Sequence, residues 1–161
     1  MAFLNFIKRR GTEASPQGGL TDAEAPIALG MAEITGTFMR SQFKVAAAHA
    51  SLDVDRDKKR PVRPALAFGF GALAYALQRK GIPWTKLPHV SVRFAEVFMP
   101  EEKDHKKLAQ FFCDCGVDPE YEKFRIAGEK AFSRVMEGDE GTAPYPNDFA
   151  RLMGYRPKVP Y

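Results

Sequence analysis

The 161-residue chain predicts an all-α protein, with four to five helices packed around a central apolar helix at 65–80 and extended arms at both ends. Three observations lead there. Apolar residues recur at helical spacing through most of residues 21–138. Helix-start and helix-stop residues sit where those stripes begin and end. A single stretch, 87–99, alternates as a strand would, and it has no obvious partner to pair with. Three parts follow: an amphipathic segment and linker at 1–20, a helical domain at 21–138, and a Pro/Tyr-rich tail at 139–161.

Phe3, Leu4 and Ile7 can share one helical face, and Lys8, Arg9 and Arg10 follow with no acid before Glu13. Three readings compete for this end: a mitochondrial-type targeting stretch, an interfacial anchor on anionic lipid, and a terminus that docks on its own protein or a partner. Gly11 to Leu20 is a linker by composition.

Thr21-Asp-Ala-Glu24 has the capping-box spacing. Ile27, Met31, Ile34 and Phe38 then recur on one face of a helix at 24–51, with Gly30 and Gly36 marking close contacts. Asp53 to Pro64 reads as a charged loop closed by two prolines. Ala65 to Lys80 is apolar all round, as a buried helix should be. Its small residues Ala65, Ala67, Gly69 and Gly71 let a second helix approach closely, and Gly81 with Pro83 supplies a stop. Over 87–99, Val90, Phe94, Val97 and Phe98 fit a helix better than the alternation of Val90, Val92 and Phe94 fits a strand.

Leu108, Phe111, Phe112 and Cys115 line a helix over 101–114 that Gly116 ends. Asp118-Pro119-Glu120 is a helix start, with Asp as cap and Pro at the first position. Phe124, Gly128, Ala131 and Val135 form the stripe of the helix that stops before Gly138. The tail carries Pro144, Pro146, Pro157 and Pro160 among Tyr145, Phe149, Tyr155 and Tyr161, with one or two helical turns near 147–153. An apolar tail stiffened by proline loses little entropy on docking, so it lies along a surface, its own or a neighbour's.

Thirteen Phe against one Trp point to a core built on the aromatic that needs no hydrogen-bond partner. The net charge of +4 is concentrated early, because residues 1–63 hold ten Lys/Arg against seven Asp/Glu and residues 64–161 hold fourteen against thirteen. A nucleic-acid-binding face is ordinarily denser in base than this. The candidate phosphate- or partner-binding residues are Lys8, Arg9 and Arg10 together with Arg56, Lys58, Lys59, Arg60 and Arg63. No apolar run reaches the roughly 20 residues of a membrane-spanning helix. Cys113 and Cys115, one residue apart, cannot easily bridge and read as reduced thiols of an intracellular compartment, either cytoplasm or the mitochondrial matrix side.

Other chemistries fit poorly. Asp53-Val-Asp55-Arg-Asp57 opens like a calcium loop, but Lys58 stands where Gly is needed and Pro64 where a bidentate Glu is needed. Residues 108–117 and the following helix have a helix-turn-helix outline, yet Glu120 and Glu122 would face DNA phosphates. His105 and Cys113 lie eight residues apart on one helix, about 12 Å along its axis, too far to share a metal. His49, His89 and His105 lack a nucleophile, and Gly69-Phe-Gly71 lacks the Lys and Ser/Thr of a phosphate loop. No cofactor, metal or small-molecule substrate is expected.

The expected role is a non-catalytic structural or accessory subunit, membrane-peripheral or free, with other protein subunits as partners held by the terminal arms (Tyr145, Phe149, Tyr155 and Tyr161 in the tail). A module binding nucleic acid or anionic lipid through 56–63 is the alternative. A metal protein or enzyme using Cys113 and Cys115 is the third reading.

Overall fold

A computed structural model describes residues 19–48 and 62–137, together with Phe149 and Leu152. Among the described residues five α-helices can be followed from end to end: α1 (Glu24–Ala48), α2 (Val62–Arg79), α3 (Ser91–Phe98), α4 (His105–Val117) and α5 (Glu122–Met136). Short 3-10 turns at Trp84–His89 and Pro119–Tyr121 precede α3 and α5. No strand occurs among the described residues, so the all-α expectation holds.

The capping box at the head of α1 is complete. Thr21 N–H donates to Glu24 Oε1 at 3.0 Å and Glu24 N–H donates to Thr21 Oγ1 at 3.1 Å, which satisfies two donors that a helix start leaves open. The rotation of α1 differs from the expected stripe. Its buried face runs through Ala28, Met31, Ala32, Thr35, Gly36, Met39 and Gln42, while Ile27 and Ile34 are 44% and 48% exposed. Close approach explains this. A Cβ on Gly36 would lie 2.9 Å from Val97 Cβ of α3, so the small residues, and not the isoleucines, form the inward seam. Gly30, in contrast, has nothing within 4 Å of a would-be Cβ among the described residues, which show no close contact there.

Helix α2 begins at Val62, earlier than the two prolines suggested. Pro64 fits because it stands in the first turn, where an N–H has no helical acceptor to lose. Arg63 therefore sits on a helix and not in a loop. Every residue from Pro64 to Leu73 is buried, and α2 touches α1, α4, α5 and the Trp84–His89 turn. The small-residue seam meets α5, where Cβ atoms on Gly71 and Gly128 would each fall 1.9 Å from a carbonyl oxygen of the other helix, Arg125 O and Phe68 O. The two backbones touch there. Gly81 at φ +74° ends the helix. Its N–H donates to Gln78 O at 3.0 Å, and Ile82 N–H donates to Leu77 O at 2.9 Å, the paired bonds of a Schellman stop.

Residues 91–98 are helical, with Val90, Phe94 and Phe98 buried. Helix α4 starts at His105 instead of 101, because Asp104 is the residue that caps it, accepting from Lys107 N–H at 3.0 Å. It also runs through Gly116, which was expected to end it. The Phe70 ring lies where a Cβ would stand, with Cγ 2.1 Å away. Asp118 accepts from Glu120 N–H at 2.9 Å and starts the turn into α5 as expected. Phenylalanine fills the interior: Phe94 stacks on Phe112 at 4.3 Å, Phe70 tilts against Phe112 at 5.5 Å, and Phe38 meets Phe132 edge-on at 5.2 Å.

Candidate functional site

The outward face of α1 is the first candidate. Ile27 and Ile34 are seven residues apart, two helical turns and about 10 Å along one face, with the open side of Gly30 between them. Leu29, 41% exposed, lies on the opposite flank by the same geometry. Two ion pairs tie α1 to the Trp84–His89 turn and to α3. Lys86 Nζ pairs with Glu24 Oε1 at 2.6 Å. Arg93 donates through Nε and Nη2 to Glu33 Oε1 at 2.9 and 2.8 Å, and through Nη1 to Glu96 Oε2 at 3.0 Å. Lys86 and the Thr21 backbone N–H hold the Glu24 carboxyl at about 2, well below its ordinary 4.5. Glu33, then Glu96, push the Arg93 guanidinium up.

The tail makes the second candidate. Phe149 and Leu152 are both helical and three residues apart, and both pack on the core. Phe149 is completely buried, edge-on to Phe68 at 5.6 Å and 6.4 Å from Phe124. Its backbone N–H donates to Gln42 Oε1 at 3.0 Å. Phe149 was expected to help grip a partner. In the structure the chain's own core occupies it, and a ring enclosed by Phe68 and Phe124 offers no surface to a neighbour. Tyr145, Tyr155 and Tyr161 lie outside the described residues.

Of the basic candidates, Lys8, Arg9, Arg10, Arg56, Lys58, Lys59 and Arg60 also lie outside them. Arg63 is exposed and places its guanidinium over the Phe111 ring at 5.4 Å, a cation–π contact that ties the start of α2 to α4.

Reactive groups are dispersed. Burial pushes the Cys113 thiol up to about 11 and the Cys115 thiol up to about 12, so neither is a thiolate near neutral pH. His105 Nε2–H donates to Met99 O at 3.0 Å, which engages the ring in closing the turn before α4. Among the described residues no three His, Cys, Asp or Glu side chains are grouped to hold a metal ion, and no helix is long and apolar enough to cross a membrane. No known protein family, curated protein or solved structure matches this chain.

Sequence reasoning missed the α1 face because Ile27 and Ile34 fall in the same apolar period as Met31. The signal was present in Gly36 and Ala32, whose size selects the seam. It missed Gln42 altogether, since a buried glutamine in α1 has no sequence signature without its distant partner.

Proposed function

We propose that this protein is a non-catalytic accessory subunit that docks on other protein subunits through the outward face of α1. The observation that carries the reading is the pair Ile27 and Ile34, each more than two-fifths exposed and flanking a glycine with open space above it. Gly costs about 1 kcal/mol relative to Ala in a helix, and no described residue packs against the open side of Gly30 in return. An incoming helix gains close approach at that point. The basic N-terminal segment and the tail tyrosines belong to the same reading as further contacts, with a membrane-peripheral position as one setting for them. The two unreactive thiols suit a reducing intracellular compartment.

Site-specific photo-crosslinking in the native source tests it. A crosslinking residue at Ile34 gives discrete higher-mass adducts, and the same residue at exposed Lys130 of α5 does not. Equal labelling at both positions, or none at Ile34, overturns the proposal.

A further inference from the structure

Phe149 enters the core from a part of the chain 107 residues away from the side chain that receives its backbone. Three helices converge on it: Gln42 from α1, Phe68 from α2 and Phe124 from α5. Gln42 is itself 1% exposed, and its carbonyl accepts the Phe149 N–H. Binding domains hold peptides by this division of labour, in which an aromatic slot selects one side chain and a fixed polar group holds the main chain. Leu152, one helical turn on, packs on the same core. Elsewhere the core is closed by helix-on-helix contacts in which Phe149 takes no part, including the Gly71–Gly128 crossing and the Phe94–Phe112 stack.

The geometry points to a peptide-binding slot between α1, α2 and α5. Its ligand is a helical turn carrying an aromatic residue and, three residues later, an aliphatic one. Phe149 and Leu152, within the sequence Asn-Asp-Phe-Ala-Arg-Leu-Met at 147–153, occupy it as a tethered ligand and are not an integral part of the fold. Eleven residues, 138–148, join Glu137 to Phe149. A tether of that length holds its ligand at an effective concentration on the order of millimolar, so a modest intrinsic affinity keeps the slot filled. This inference is independent of the assembly reading, because it concerns a buried slot and not the outward face of α1.

The test uses the full chain with a specific protease site inserted between Gly141 and Thr142, cut after folding. The cleaved tail is expected to leave on dilution while the helical circular dichroism of the domain persists. A fluorescent peptide spanning residues 145–155 then rebinds saturably, and the same peptide with Phe149→Ala binds at least tenfold more weakly. A Gln42→Ala chain binds the unaltered peptide several-fold more weakly. The inference is overturned if the cleaved tail separates only when the domain unfolds, if the emptied domain fails to bind the peptide, or if the Phe149→Ala peptide binds equally well.

Discussion

Gly71 and Gly128 are the residues on which the fold can least easily compromise. Each Cβ would meet a backbone oxygen, which cannot rotate aside as a side chain can. Overpacking of this kind costs about 1–3 kcal/mol and at times more, so Gly71→Ala and Gly128→Ala should each lower stability by about 2–4 kcal/mol in urea unfolding. Gly30→Ala should instead raise stability by up to about 1 kcal/mol, because it restores helix propensity where nothing is in the way. The thiols give a second check. With Cys113 near 11 and Cys115 near 12, both should react slowly with a disulfide reagent at pH 8 and rapidly once urea unfolds the chain. Glu24 gives a third. Its folded-state value of about 2 lies below its ordinary 4.5, so its contribution is complete above about pH 4.5 and fades as pH falls towards 2. Glu24→Gln keeps an oxygen for the Thr21 N–H and removes the charge opposite Lys86. That variant should show a shallower loss of stability between pH 4.5 and 2 than the parent chain.

At the scale of elements, the caps were legible because they are local. Thr21, Asp118 and Gly81 each act within five residues, and the structure uses all three as their types imply. Replacing Thr21 or Asp104 by Ala should therefore cost about 1 kcal/mol each in thermal or urea unfolding. The start of α4 was misplaced by four residues because Glu101 to Lys103 are compatible with a helix, and only the cap geometry at Asp104 decides. Likewise Gly116 reads as a stop until the Phe70 ring beside it is known. The rotation of α1 was hidden for the same reason. Counting apolar residues favours Ile27 and Ile34, whereas the real seam is chosen by which side chains are small enough to admit Val97. Helix type and order follow from periodicity and caps; which face turns inward is decided by a partner far away in sequence.

For the whole molecule, the phenylalanine-rich core was visible in composition, and Phe68, Phe70, Phe94, Phe112, Phe132 and Phe149 indeed fill it. That the sixth of these comes from the tail was not visible, because its receptor is divided among three helices. Among the described residues, Ile27, Leu29 and Ile34 of α1 and Ile126 of α5 are large apolar side chains left exposed. Among the described residues, the two thiols stay protonated near neutral pH, Arg93 joins α3 to α1, and His105 closes the turn before α4. The most direct measurement of the account is the native size of the chain under gentle extraction from its source, compared with an Ile27→Glu/Ile34→Glu variant. The parent chain should elute in a complex far larger than its own 18.0 kDa, and the doubly substituted chain should elute alone while retaining its helical spectrum. A parent chain found alone at that mass, or a variant that stays in the large complex, would contradict the account.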